Sequence, residues 1–243
     1  MPTSTSHAAA VARLATLALP GRVHMGLTVS EPVRRVSSAV GDLDALLDGG
    51  WPRGRLSEIL GPRSSGKTSL VLALLAAATR RGEVVACVDL ADAVHPASVA
   101  AAGADLRRVL WVRPPSVTDG MRCTELLLHA GGFTVVVLDF GAEVPRQLRS
   151  HVWPRVMRAA ERSHTAVVVL APQRVAGSFS ALSLGVRSRA ARWQPGAWPL
   201  FDGFDSVLEL TRNKLGMPGR EIEMRARVES QMSHPARTRL GAR

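Results

Sequence analysis

Eight residues, Gly61-Pro62-Arg63-Ser64-Ser65-Gly66-Lys67-Thr68, carry the spacing G-x-x-x-x-G-K-[ST], which suits a backbone wrapped around a polyphosphate. The two glycines let main-chain N–H groups turn inward onto phosphate oxygens, and a helix starting beside them adds its positive end. The Lys67 ammonium would neutralise the β- and γ-phosphates, and the Thr68 hydroxyl suits Mg²⁺, with Ser69 closing the nucleotide-binding run. A second acid belongs to this chemistry. Asp139 ends "VVVLDF", and a carboxylate at the tip of a buried strand is where a second Mg²⁺-orienting group would sit; a plain strand cap is the alternative. The expected ligands are therefore ATP or another purine triphosphate and Mg²⁺, with Thr68 and Asp139 toward the metal.

Such a cradle needs a strand leading in and a helix leading out. "RLSEIL" before it reads as a strand, and "SLVLALLAAATRRG" after it as a helix ended by Gly82. Strand and helix signals then alternate: "EVVACVDL", the helix "PASVAAAGA", "RVLWVRPP", the helix "MRCTELLLHAGG", "FTVVVLDF", a helix carrying Val156 and Met157, and "TAVVVLAPQ". The continuous β-branched runs suit strands covered on both faces. Upstream, Ser38 is a candidate N-cap for a short helix with Leu43, Leu46 and Leu47, stopped by Gly49, Gly50 and Pro52. A looser segment is expected over 174–200, followed by "SVLELTRNK" and "REIEMRARV" as antiparallel edge strands. The fold class is α/β: a mostly parallel twisted sheet flanked by helices, with antiparallel edge strands near the C-terminus. Ligands in such sheets sit at the carboxyl ends of the strands. The expected division is an N-terminal segment 1–36 with a short helix, a P-loop domain 37–228, and a basic flexible tail 229–243.

The chain of 243 residues is 46% apolar, with a formal net charge of +11, which favours anionic partners, nucleic acid above all. No apolar run reaches the length that spans a bilayer. The start, "MPTSTSHAAAVARLATLALPG", lacks a basic region before its apolar stretch, and Arg13 interrupts that stretch, so it reads as a surface or docking helix over 7–19 rather than a secretion signal. Two cysteines, Cys87 and Cys123, make no disulfide framework or zinc pattern, so a cytoplasmic, nucleoid-associated setting with no membrane is the expectation. Of 31 Lys and Arg residues only Lys67 and Lys214 are lysines.

These motifs carry a resemblance. "GDLDALLDGGWPRGRLSEILGPRSSGKTSL" resembles the opening of the bacterial RecA recombinase core, and the likeness continues through "VVACVDLADAVHP", "VVVLDF", Gln173 and "TRNKLGMPGR". The short length and basic tail are similar to the ImuA family, RecA-like proteins of a translesion mutagenesis cassette, some of which are labelled SulA-like division inhibitors. The resemblance implies a RecA-like fold and an accessory role in SOS-linked damage tolerance. It further implies contacts with RecA, ImuB, the translesion polymerase and DNA, and leaves a homo-oligomer open. It makes Gln173 a γ-phosphate sensor, and Arg212 and Lys214 cations that reach a neighbouring subunit's nucleotide; a solvated face of an edge strand is the plainer reading of that pair. The departures are informative. Where the recombinases carry the glutamate that polarises the attacking water, this chain has Ala91, with Asp92 one place along; the adenine-stacking tyrosine position falls at Ser98. Loss of a general base typically costs roughly 10²–10⁴ in rate, so the expectation is weak or absent ATP hydrolysis. The alternatives are an autonomous DNA-dependent ATPase that exchanges strands, or a division-inhibitor interaction module.

Nine arginines and one acid, Glu161, lie between Arg146 and Arg192. By resemblance this stretch holds the DNA-contacting loops. Arg146, Arg149, Arg174, Arg187, Arg189, Arg192 and Trp193 are the candidate DNA-binding residues, combining phosphate neutralisation with a stacking platform; Trp198 belongs to the same group. Binding of this kind would be sequence-independent, single-stranded by preference, and weakened by salt. A basic solvent face, with Trp153 and Trp193 as core anchors, is the competing reading.

Overall fold

The computed structural model describes residues 33–144, 148, 151–195 and 200–227. The helix expected over 7–19, Arg146, Arg149, Trp198 and the tail from 229 onward lie outside the described residues. Apart from Val33, the described residues lie in one unit, Arg34–Arg243.

A short antiparallel pair, β1 (Arg35–Val36) and β2 (Trp51–Pro52), brackets helix α1 (Gly41–Leu46). The helix stops as expected: Gly49 and Gly50 have φ of +110° and +119°, and a Cβ on Gly50 would lie 2.3 Å from the Val36 carbonyl oxygen. Ser38 is not the helix cap. Val40 occupies that place without a side-chain bond. The Ser38 N–H and hydroxyl instead donate to Asp44 Oδ1 at 2.9 and 2.8 Å, because the acid in the first helical turn reaches back to the entering chain.

The main body alternates as its sequence requires: β3 (Leu56–Leu60), α2 (Lys67–Arg80), β4 (Val85–Asp89), α3 (Pro96–Ala101), β5 (Val109–Val112), α4 (Val117–Ala130), β6 (Val135–Asp139), α5 (Val152–Ser163) and β7 (Ala166–Ala171). Then come β8 (Leu182–Gln194), β9 (Leu200–Asn213) and β10 (Glu221–Arg227). They form an eight-stranded sheet in the order β10-β9-β8-β3-β7-β6-β4-β5. From β8 to β5 neighbouring strands pair in parallel, whereas β9 is antiparallel to both its neighbours.

The side-chain period of two divides each central strand between two cores. Ile59, Val85, Cys87, Val135, Val137, Val168 and Leu170 face Leu70, Leu74 and Leu75 of α2 and Leu43 and Leu46 of α1. Leu56, Ala86, Val88, Val136, Leu138, Val167 and Val169 face Met121 and Leu128 of α4 and Trp153, Val156 and Ala159 of α5. This double burial is why these strands read as unbroken apolar runs.

The expected loose segment 174–200 departs most from its reading. After the short turn Gly177–Phe179 it becomes the thirteen-residue strand β8, and β9 already begins at Leu200. Leu182, Leu184 and Val186 of β8 are buried, but the continuation "RSRAARWQ" has no apolar period. What makes it a strand is pairing. β8 and β9 stay paired antiparallel, through three shifts in register, as far as Gln194↔Leu200, and the ribbon they form runs past the carboxyl ends of the parallel strands.

Leu208 of β9 is fully buried and lies beside Val186 and Ile222. Leu208→Ala should lower stability by about 2–5 kcal/mol in urea denaturation; an unchanged midpoint would contradict this packing of the ribbon's base.

Candidate nucleotide site

The strand ends converge. Leu60 is opposite Ala171, Leu170 opposite Asp139, and Asp139 opposite Asp89, so β3, β7, β6 and β4 finish at one level. At that level lies a cavity of about 760 Å³, lined by all of 62–69, Ala91, Ala93, Asp139, Gly141, Ala142 and Leu170. Four more lining residues, Ser188, Ala191, Phe201 and Phe204, come from the β8–β9 ribbon. The sequence-predicted cradle and Asp139 are therefore brought together, with Gly61 leading into the run and donating its N–H to the Ala171 carbonyl at 3.3 Å.

The glycines are required by space. A Cβ on Gly61 would lie 2.2 Å from the Val186 carbonyl oxygen. Gly66 has φ +100°, and a Cβ there would lie 2.7 Å from the Phe204 ring. Helix α2 starts at the next residue, with its first N–H groups facing the cavity rim. Ser65 Oγ is buried and has no hydrogen-bond partner among the described residues, a polar atom that a phosphate oxygen would satisfy.

Lys67 is only 8% exposed; its Nζ donates to the carbonyls of Gly61 and Ala171, the latter at 3.2 Å. Burial pushes its pKa down, and the charge of Asp139 opposes that shift. Asp139 is 6% exposed, and burial holds its carboxyl above the usual range; the Gly141 N–H, donated to Oδ1 at 2.7 Å, opposes this, Asp89 adds to it, and Lys67 counters it. Burial, then Asp139 and Asp89, drive the Cys87 thiol upward, which keeps it neutral and unreactive. A cation and an acid are thus both held, nearly buried, at the strand-end pocket, each favoured in its charged form by an incoming anion and metal. The donor set fits Mg²⁺ in the way Mg²⁺ is usually held, by one carboxylate and a hydroxyl with the substrate's phosphates. Thr68 and Asp139 are the residues that would hold it.

Ala91 also lines the cavity, so the position where a water-polarising acid is expected carries a methyl group. Two acids that flank that position, Asp89 and Asp92, are held elsewhere. Asp89 accepts the N–H groups of Ala93 and Val94 at 3.0 and 2.9 Å, one on each carboxylate oxygen. Asp92 is exposed and paired with Arg113 at 3.0 Å, in a turn with φ +49° after β4 has ended.

Other candidates lie apart from the cavity. Gln173 and Arg174 are exposed in the bend after β7. Arg212 and Lys214 lie at the other end of β9, where Asn213 is opposite Leu182 and Leu182 opposite Ser57. That is four strand residues, about 13 Å, from the cradle, and their side chains donate to the carbonyls of Gly177 and Ser178. The DNA-binding candidates Arg187, Arg189, Arg192 and Trp193 sit on β8 rather than on a loop. Each arginine faces an acid: Arg187 with Glu221 at 3.9 Å, Arg189 with Glu223, Arg192 with Asp205 at 3.2 Å. Trp153 is a core residue, as the competing reading has it, but Trp193 is 59% exposed and stacks edge-on to Phe201.

Sequence reasoning missed the ribbon residues and Glu58. Ser206 Oγ donates to the Ser65 carbonyl at 2.9 Å, tying β9 to the cradle. Glu58, fully buried in β3, accepts the N–H groups of Val175 and Ala176 at 2.9 and 2.8 Å and the Ser183 hydroxyl at 3.1 Å. It fixes the bend that carries Gln173. A lone carboxylate in an apolar strand was the available signal.

Gly66→Ala should cost about 1–3 kcal/mol of stability, the scale of backbone strain at a special φ, and weaken triphosphate binding. Chemical denaturation and calorimetric titration check both, and a neutral effect on both would contradict the tight approach of Phe204.

The family of the RecA N-terminal domain matches residues 21–150. Protein RecA of Lactobacillus delbrueckii subsp. bulgaricus is 37% identical over 126 residues, 51% of this chain and 38% of that protein. Protein RecA of Rubrobacter xylanophilus is 38% identical over 126 residues, covering 51% of this chain and 37% of that protein. This chain therefore matches well under half the length of these relatives. The crystal structure of the RadB recombinase shares the fold with a TM-score of 0.62 at 22% identity, covering 78% of this chain and 95% of that one. Because the matched residues 21–150 are more than half of the 243, the chain belongs to the RecA N-terminal domain family.

Proposed function

We propose that this protein is a nucleotide-holding adaptor of DNA damage tolerance, a RecA-like core of the ImuA kind. It binds a purine triphosphate with Mg²⁺, cleaves it slowly or not at all, and links DNA, RecA and the ImuB–polymerase translesion machinery. The observation that carries this reading is Ala91: the cavity has the cradle, Lys67 and Asp139, but a methyl group where a base is needed. Of the acids flanking Ala91, Asp89 is held by two backbone N–H groups, and Asp92 lies exposed beside Arg113 in the turn after β4. An autonomous DNA-dependent ATPase would need one of them free.

Mg²⁺, when bound, would neutralise phosphate charge. Lys67 turns from the Gly61 and Ala171 carbonyls to the phosphates, and the amides of 62–67 orient them. Asp139 and Thr68 would supply the oxygens that hold the metal. Arg212 and Lys214 are too far from their own cradle, so any phosphate role of theirs is exerted on a second copy or on RecA. DNA contact falls to Arg174, with Arg146 and Arg149. Arg174 has no carboxylate partner among the described residues, whereas Arg187, Arg189 and Arg192 each have an acid beside them that offsets part of their charge.

Wild-type protein should release phosphate from ATP slowly even with single-stranded DNA, and Ala91→Glu should raise the rate toward the roughly 10²–10⁴ that a positioned base contributes. DNA-stimulated wild-type turnover at recombinase levels would overturn the reading. Affinity for single-stranded DNA should fall steeply with salt, and Arg174→Glu should reduce the slope of log K against log salt by about 1. An unchanged slope in fluorescence anisotropy would remove Arg174 from the contact.

A further inference from the structure

The ribbon enters the cavity through an irregularity in each strand. A strand with regular pleating sends residues three apart to opposite faces. Yet Ser188 and Ala191 of β8 both line the cavity, and so do Phe201 and Phe204 of β9. Each pair spans a break in register. Ser188 is opposite Ser206 and Ala190 opposite Asp205, which leaves Arg189 as an extra residue on β8. Arg192 is opposite Gly203 and Trp193 opposite Phe201, which leaves Asp202 extra on β9. A one-residue bulge resets the alternation and re-aims the side chains beyond it. Two such bulges turn two small residues and two aromatic rings toward the cradle.

The rings differ in setting. Phe204 presses against Gly66 at the inner wall, and its strand is tied there by the Ser206–Ser65 bond. Phe201 is 44% exposed and is held by Trp193, with ring centroids 5.5 Å apart at 70°. Phe201 is exposed and Phe204 partly exposed, and among the described residues no aromatic ring other than Trp193 packs against either of them. Ser98, where the resemblance puts a base-stacking residue, does not line the cavity.

We propose that Phe201 and Phe204 form the platform for the nucleobase of a triphosphate held by 61–68, with Ser188 and Ala191 leaving room for it. This rests on the nucleotide reading above. The platform offers π-faces and one hydroxyl, Ser188, so it recognises a planar base without reading its edge; stacking of this kind is tolerant of base identity. Adenine and guanine triphosphates should therefore bind within a few-fold of each other.

The test is calorimetric titration of the full chain with Mg²⁺ and ATP, GTP or inorganic tripolyphosphate, for wild type, Phe204→Leu, Phe201→Ala and Lys67→Ala. Stacking losses predict that ATP affinity falls about 5- to 150-fold in Phe201→Ala while tripolyphosphate affinity stays unchanged, and that ATP affinity falls in Phe204→Leu as well. Lys67→Ala should lose both ligands. Because Phe204 braces the cradle, its variant could disturb both ligands together, so the half-exposed Phe201 decides. ATP affinity equal in wild type and Phe201→Ala overturns the platform and leaves the phosphate site standing. Failure of wild type to bind either ATP or tripolyphosphate overturns both. Tight binding of tripolyphosphate with no gain for ATP over it also overturns the platform.

Discussion

Four parallel strands end at one level, and most of what the molecule can do follows from that. Leu60, Ala171, Asp139 and Asp89 are cross-strand neighbours or one residue from being so. The buried apolar runs behind them leave little freedom to slip, because a one-residue shift would exchange the two cores. The register therefore sets where Lys67 meets the Gly61 and Ala171 carbonyls and how near Asp139 lies to it. A cation at 8% exposure held by carbonyl oxygens is an environment that an anion improves. Burial likewise raises the pKa of the Asp139 carboxyl, a shift that a bound cation would oppose.

The ribbon closes this site from the other side. Its base is locked by Leu184, Val186 and Leu208 in the core, and its middle by Ser206 on the cradle backbone. Beyond that point it is held by ladder hydrogen bonds and surface ion pairs, with Trp193 against Phe201 near its end. Stability is expected to decline along it, since such pairs contribute little next to buried apolar contacts. Glu58 ties the site to the bend after β7 in a different way. One buried carboxylate satisfies two N–H groups and a hydroxyl, so β3, the Gln173 bend and β8 are braced together.

How legible all this is in the sequence depends on whether a feature is local. The cradle, Asp139 and the alternating strands are written in contiguous residues, because a phosphate loop and a doubly buried strand each impose their own local pattern. The antiparallel pairing of β9 with β10 is legible for the same reason. Residues 187–194 form a strand only because β9 lies beside them, and no local pattern records that partner. Phe201 and Phe204 reach the cavity through bulges, which a two-residue period cannot foresee. Ser38 has the chemistry of a cap but finds Asp44, six residues away, before it finds the helix N-terminus. The arginines of 187–192 look like a free basic patch until Glu221 and Glu223 of β10 and Asp205 of β9 are placed beside them.

The central claim is that a triphosphate is gripped here with a methyl group, Ala91, where a water-polarising acid is expected. A crystal structure of the protein with Mg²⁺ and a non-cleavable triphosphate tests this most directly. The account predicts phosphates along the amides of 62–67, Lys67 turned onto them, Asp139 and Thr68 toward the metal, and only the Ala91 methyl on the side from which water would attack. An empty cradle, or an Asp89 or Asp92 carboxylate swung into line behind the terminal phosphorus, would contradict it.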